Sequence, residues 1–225
     1  MHPMSSVPHS LSDTVTFVGE FVREFRLTGS MFPTSARAAA LLARPLEERE
    51  GPLRILELGP GTGAVTAAVL ARMRDGDALD ICEINPRMVK VLQRRLEQLP
   101  AYRAHHAQVR VLVCGAQELP HVAPYDVIVC SLPFSNFDLP LVESIFARLR
   151  QLSHEGTRMT WFEYPELKRL RLMLSEEASQ YSAVSAFLAQ QGCEPLGRVF
   201  GNIPPLQAWV LRPLRGQPAA AERAA

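Results

Sequence analysis

With 225 residues, 47% of them hydrophobic, the chain is long enough for one α/β domain with a full core. Its 24 Lys and Arg against 23 Asp and Glu leave a net charge of +1, which excludes a global field that gathers nucleic acid. Four scattered cysteines (Cys82, Cys114, Cys130 and Cys193), with no pair at metal-ligand spacing, point to a reducing, cytosolic compartment and to no metal site.

Residues 1–11 are rich in Pro, Ser and His and are expected to be loose. No basic-then-apolar signal pattern opens the chain, and no apolar run reaches the ~20 residues that span a bilayer. Ser12 or Asp13 is placed to cap a helix in which Val15, Val18, Phe21, Val22 and Phe25 share one face, with Phe17 beside them. Such a stripe suits packing on a core or lying in a membrane interface, and its mixed polar face weakens the second reading. Residues 27–37 form a turn into a second helix, capped by Thr34 or Ser35 and ending near Pro45. Residues 1–50 therefore read as an N-terminal helical extension. Arg37 in that helix meets either a ligand carboxylate or solvent.

Residues 53–58 are an apolar run that reads as a buried strand. Gly59, Gly61 and Gly63 follow in a turn with almost no side chain in the way. Residues 65–73 then return to helical spacing. Strand, glycine turn and helix make half of a nucleotide-binding βαβ unit, in which backbone approaches a ligand closely. Glu83, at the end of the next strand-like run, is suited to accept from both hydroxyls of a ribose. Glu57, just before the turn, would repel a pyrophosphate, which argues against a dinucleotide. The pattern E-x-G-x-G-x-G with an acid closing the next strand resembles the class I S-adenosylmethionine (SAM) methyltransferases, whose cofactor carries a sulfonium and an ammonium instead.

Further along, Asn85 caps a helix with Pro86 at its first position, and Met88, Val89, Leu92 and Leu96 face inward until Pro100 stops it. His105 and His106 sit in a polar connector and read as solvated. Residues 108–114 form a third strand. In the methyltransferase pattern the turn after it often holds an Asp for the adenine amino group. Gly115 stands there, so a backbone N–H or Gln117 has to take over. Residues 125–131 are a continuously apolar central strand. It ends in Ser131-Leu132-Pro133-Phe134-Ser135-Asn136-Phe137, at the carboxyl edge of the sheet beside the glycine turn. A helix over 139–152, a strand over 158–164 and a long helical region over 166–191 follow. Residues 195–200 and 206–211 make an antiparallel hairpin, and residues 213–225 read as a frayed tail.

Three separated stretches resemble the bacterial phospholipid N-methyltransferases, which methylate phosphatidylethanolamine. They are Thr28-Gly29 with Pro33-Thr34-Ser35-Ala36-Arg37; the glycine turn itself; and Leu132-Pro133-Phe134 with Asn136-Phe137, joined by Asn202-Ile203-Pro204-Pro205 and Trp209-Val210. The departures are Ala36 for a Ser and Gly115 for the Asp. The resemblance implies a Rossmann-like α/β fold with a seven-stranded, mostly parallel sheet, a methyltransferase domain over 51–212 and SAM as cofactor. It implies cofactor contacts from Glu57, Gly59, Gly61, Gly63, Glu83, Ile84, Ala116, Gln117, Ser131, Leu132, Ser35 and Arg37. Asn136 and Tyr164, with Glu163, are candidates to hold the acceptor amine. Phe134 either shapes the methyl pocket through cation–π attraction or belongs to the core. The same resemblance brings the Phe17, Phe21 and Phe25 stripe into contact with a phospholipid surface, level with the core-packing alternative. Lys168-Arg169-Leu170-Arg171 is either a solvated helix face or a patch for anionic head groups. The expected protein is monomeric or weakly oligomeric, cytoplasmic and peripheral to the inner membrane, with no nucleic-acid partner. The nearest rival is an rRNA adenine N6-methyltransferase, whose N-[IL]-P-[FY] motif differs from Ser131-Leu132-Pro133-Phe134 at its first residue. A soluble-metabolite methyltransferase and a non-catalytic SAM-binding regulator are the others.

Overall fold

Residues 34–48, 50–166, 178–202 and 204–212 are described by the computed structural model of the chain. The predicted helix over 15–25, the basic cluster at 168–171 and the tail 213–225 lie outside the described residues.

The core grows from β1 (Arg54–Leu58), a strand with four of its five residues buried. A buried strand of this kind needs neighbours on both sides and cover on both faces. It pairs in parallel with β2 (Ala78–Cys82) on one side and β4 (Tyr125–Cys130) on the other. β3 (Val109–Leu112) adds beyond β2, and β5 (Ser153–Glu163) beyond β4. β7 (Leu206–Leu211) runs antiparallel between β5 and β6 (Glu194–Val199), giving the order β3-β2-β1-β4-β5-β7-β6. This is the expected seven-stranded Rossmann-like methyltransferase sheet with its C-terminal antiparallel hairpin. The strand order reverses between β1 and β4, so the switch-point crevice lies at their carboxyl ends.

Helices cover both faces. α1 (Ala36–Leu42), α2 (Ala64–Leu70) and α3 (Pro86–Leu96) bury Leu42, Val69 and Leu92 against Ile55, Ile81 and Val129. α5 (Leu139–Gln151) and α6 (Ala178–Gln190) bury Phe146, Leu149 and Leu188 against Leu56, Ile128 and Trp161. α4 (Pro100–His105) lies between α3 and β3.

Several elements differ from the sequence expectation. α1 buries Ala38, Ala39 and Leu42, and the Thr160 hydroxyl donates to the Leu42 carbonyl at 2.9 Å. Residues 34–48 are thus part of the domain core, which therefore begins before residue 51. Pro100 does not merely stop a helix: it takes the first position of α4, a helix with no buried residue and hence no apolar period to reveal it. The predicted polar connector at His105 and His106 is the end of that helix. β5 begins five residues earlier than expected. Its Ser153-His154-Glu155-Gly156 opening looks like a loop, but the Thr157 hydroxyl bonds the Tyr125 carbonyl at 2.6 Å and the His154 N–H at 2.8 Å across a register shift. The helical region expected over 166–191 contains α6. No helix among the described residues is long and apolar enough to cross a membrane.

Candidate functional site

The glycine turn is locked from three sides. Gly59, Gly61 and Gly63 have φ of +66°, +54° and +82°, where an L side chain is strained. Gly59 donates to the Cys82 carbonyl at 3.0 Å, and Ser131 donates to the Leu58 carbonyl at 2.8 Å. A Cβ on Gly59 would stand 2.8 Å from Leu132 Cδ2, and one on Gly63 would stand 2.8 Å from Leu92 Cδ1. A Cβ on Gly61 would meet nothing within 4 Å. The outer two glycines therefore exist for packing, and the middle one faces open space.

Glu57 stands behind this turn with no exposed surface. Thr66, on the buried face of α2, donates to its Oε1 at 3.0 Å, while Oε2 has no partner. Burial pushes the carboxyl up to about 8, and the Thr66 bond opposes that only in part. Glu57 was expected to contact the ligand directly. Its zero exposure makes it instead a support beneath the turn. Thr66 was missed, although a lone Thr in an apolar helical stripe is the signal that a buried polar partner waits for it.

Glu83 closes β2 at 9% exposure. One carboxylate oxygen accepts the Asn85 N–H at 2.8 Å, and Ile84 and Gly61 N–H groups also point to it. Burial raises its pKa, and these three donors work against the rise. An acid held this way beside an open glycine suits recognition of a diol. Ile84 next to it is half-buried, an apolar wall at the same edge.

At the end of β3, Glu118 caps the Gly115 N–H at 3.0 Å. The Gln117 amide folds over Gly115, so close that a Cβ there would stand 2.6 Å from Nε2. The amide thus occupies the room that a side chain at position 115 would need. Ala116 is buried in the core, so only its backbone is available to a ligand.

The segment after β4 splits the expected residues. Ser131 Oγ is buried without a partner, and Leu132 leans on Gly59. Asn136 ends a short 3₁₀ turn (Phe134–Asn136) and is half-buried, its N–H on the Pro133 carbonyl at 2.8 Å. Phe134 is 3% exposed and packs against Phe146 and Phe137 with ring centroids at 5.3 and 6.5 Å. The core alternative holds for Phe134, and its ring offers no open face to an ammonium.

Tyr164 follows β5 at the same carboxyl edge. Burial raises its pKa, with a bond from the Asn202 side chain opposing. Asn202, itself 3% exposed, also accepts the Ser35 N–H at 3.0 Å. Ser35 Oγ in turn caps α1 by accepting the Ala38 N–H at 3.3 Å. Tyr164, Asn202 and Ser35 form one cluster at the hairpin end, and Ser35 is a cap and a tether there. Arg37 is exposed on the first turn of α1. Asn202 entered the sequence reading only as part of a motif; a lone Asn before Ile-Pro-Pro gives no hint of its buried partners.

Residues 56–159 match the family described as "Methyltransferase domain". Among curated proteins, the ribosomal RNA small subunit methyltransferase A of Thermobifida fusca is 32% identical over 179 residues, covering 76% of this chain and 58% of that protein. The ornithine lipid N-methyltransferase of Singulisphaera acidiphila is 24% identical over 148 residues, covering 65% of this chain and 76% of that protein. The chain therefore spans little more than half of the first relative's length. Among solved structures, cofactor-bound Rv0187 from MTB superposes with a TM-score of 0.64 at 12% identity, covering 93% of this chain and all of that one. An O-methyltransferase of Bacillus cereus in complex with SAH gives 0.63 at 12%, with 92% of each chain covered. TomG of Streptomyces achromogenes, an O-methyltransferase in complex with SAM, gives 0.60 at 16%, covering 92% of this chain and 91% of that one. At these identities the likeness to the solved structures is one of fold.

Proposed function

We propose that this chain is a SAM-dependent N-methyltransferase that acts on the amine of a phospholipid head group, as a peripheral protein at a membrane surface. The residues present fit the cofactor. The space in front of Gly61 is open, Glu83 offers a fixed carboxylate for a ribose, and the Gln117 amide over Gly115 is a polar group available to an adenine. The unpartnered Ser131 hydroxyl is a further polar group at this edge. Bound SAM supplies an electrophilic methyl group on a sulfonium, which needs alignment more than activation.

The acceptor has to arrive as a free amine, because an ammonium with pKa ~10 has no lone pair. Asn136 and Tyr164 are the residues that orient it. Burial keeps the Tyr164 hydroxyl protonated at neutral pH, so Tyr164 holds the amine and does not take its proton.

The observation that carries the lipid reading is the bond from the Ser35 N–H to Asn202 Oδ1. It joins two of the three stretches by which the sequence resembles phospholipid N-methyltransferases, beside Tyr164 at the carboxyl edge of β5. Similarity to an ornithine lipid N-methyltransferase supports an amine-bearing lipid as the acceptor. A second reading, adenine N6-methylation of ribosomal RNA, is favoured by the 32% identity to an enzyme of that name. Against it stand Ser131, where that class has an Asn, and the net charge of +1.

Methyl-labelled SAM, offered with phosphatidylethanolamine vesicles, with ornithine lipid vesicles and with ribosomal RNA, tests both. Label in the lipid fraction is expected. Label in RNA alone would establish the rival, and label in neither with SAM bound would point to a soluble acceptor or a binding protein.

A further inference from the structure

The amino-terminal edge of the sheet, opposite the glycine turn, carries a pocket of about 400 Å³ lined by Arg54, Ala78, Asp80, Gln108, Arg110 and Tyr125 among others. Nothing in the methyl-transfer reading uses it. Along β1, Arg54 and Leu58 are four residues apart, or about 13 Å at ~3.3 Å per residue. A ligand here is therefore out of reach of the transferring methyl.

The pocket is built around a buried acid whose valence is filled. The Asp80 side chain is 5% exposed. Arg110 Nε and Nη2 donate to its two oxygens at 2.7 Å each, and the Tyr125 hydroxyl donates to Oδ2 at 2.7 Å. Burial alone would raise the carboxyl; the bonds from Arg110 and Tyr125, with the charges of Arg110 and Arg54, bring it below the ordinary range. Asp80 therefore neutralises one guanidinium and fixes its orientation.

Arg54 is the second guanidinium. It lies over the Tyr125 ring, 5.5 Å from its centroid, and its Nε is buried without a hydrogen-bond partner. A buried N–H left unmet costs about 1–3 kcal/mol. Asp126 does not satisfy it: that carboxylate accepts the Arg54 backbone N–H at 2.7 Å and faces His154 Nε2 at 3.0 Å. Gln108, also in the lining, sets its Oε1 against His105 Nδ1 at 2.9 Å. The lining thus carries two guanidiniums against one neutralised carboxylate.

We propose that this pocket binds a small oxyanion, a phosphate or carboxylate group on a small molecule, with the Arg54 guanidinium, held over the Tyr125 ring, as its main cation and Arg110 and Gln108 beside it. Planar guanidinium N–H groups match the oxygens of both ions, and a pocket of this volume has room for more than the bare anion. The proposal is independent of the methyl-transfer reading.

The test is a titration of the full chain, at fixed ionic strength, with inorganic phosphate, glycerol 3-phosphate and succinate, observing arginine Nε–Hε resonances. A saturable shift of the Arg54 resonance is expected with at least one probe, and the best probe separates phosphate from carboxylate ligands. Arg54→Gln should abolish saturation, and Arg54→Lys, which keeps the charge but not the planar guanidinium, should weaken it at least ~10-fold. Should Arg54→Gln fail to fold, the wild-type resonance decides alone. No saturable shift with any probe, or equal binding by a folded Arg54→Gln, would overturn the proposal.

Discussion

The Gln117 carboxamide fills the space that a side chain at position 115 would need: a Cβ on Gly115 would stand 2.6 Å from Nε2 and 2.8 Å from Oε1. The two positions compete for one space in the turn after β3. Gln117→Ala should therefore weaken SAM binding about 10-fold, the loss of one hydrogen bond worth ~1.4 kcal/mol. Gly115→Asp alone should weaken it as well, because the two side chains compete. The double variant Gly115→Asp/Gln117→Ala should recover most of the affinity. Calorimetry on the four proteins checks this, and additive losses would show that the two positions do not share a role.

Gly61 and Gly63 make separable predictions. Gly63→Ala should mainly destabilise the fold, since its Cβ would press on Leu92 of α3 and its φ is +82°. Gly61→Ala meets no protein atom within 4 Å, so its folded-state cost is the backbone strain of about 1–2 kcal/mol. Its effect on SAM affinity should be the larger of the two, and Gly61→Arg should abolish binding. Melting temperature and SAM affinity, measured side by side, check the split. Equal losses of affinity at 61 and 63 would contradict it.

The parts of this fold that were legible in the sequence are those where burial imposes a period. β1, β4 and β7 are mostly apolar, and α3 announces itself by Asn85 at its cap, Pro86 at N1 and an apolar stripe. α4 has no fully buried residue, and of its apolar residues only Ala101 and Tyr102 are partly buried, so Pro100 is its main mark, and proline signals a start as well as a stop. At the site, Glu83 and the glycines were readable because their chemistry is local in sequence. Glu57 and Phe134 were readable as residue types but not as neighbours of the core, because burial depends on α2, α5 and α6 packing from elsewhere. Thr66 and Asn202 act through partners 9 and 167 residues away in the chain, which no local pattern encodes.

Glu57 should make stability fall with rising pH. Its carboxyl is raised from 4.5 to about 8 in the folded state. The folded protein then holds the proton that the unfolded chain releases above pH 4.5. The group's favourable contribution is full below that pH and is lost progressively as pH rises toward about 8. The slope is at most about 1.4 kcal/mol per pH unit, or roughly 3–6 °C in Tm. Glu57→Gln, which keeps the neutral shape, should flatten the profile between pH 5 and 8. An unchanged slope in cofactor-free protein would mean that Glu57 is ionised throughout.

Phe134 should matter to stability and not to acceptor choice. Its ring is packed against Phe146 and Phe137. Phe134→Ala is expected to cost about 3–5 kcal/mol, which a marginal domain barely survives. Phe134→Leu should cost less and leave kcat/KM for the methyl acceptor unchanged when assayed well below Tm. A selective rise in the acceptor KM with unaltered Tm would return the ring to the site.

Asn202 joins the end of β5 to the cap of α1, and its loss should be read in the acceptor. Asn202→Ala leaves the Ser35 N–H without its 3.0 Å partner and removes the bond to Tyr164. An unmet buried donor costs about 1–3 kcal/mol, or roughly 2–4 °C of Tm for each kcal/mol in a domain of this size. If the cluster orients the amine, KM for the lipid rises while KM for SAM stays level. Tyr164→Phe isolates the hydroxyl: it keeps the Ser35 bond, so it should lower Tm less than Asn202→Ala and still raise the acceptor KM. A variant pair that lowers Tm without moving the acceptor KM would reduce the cluster to a structural clasp, and the search for the amine's partners would return to Asn136.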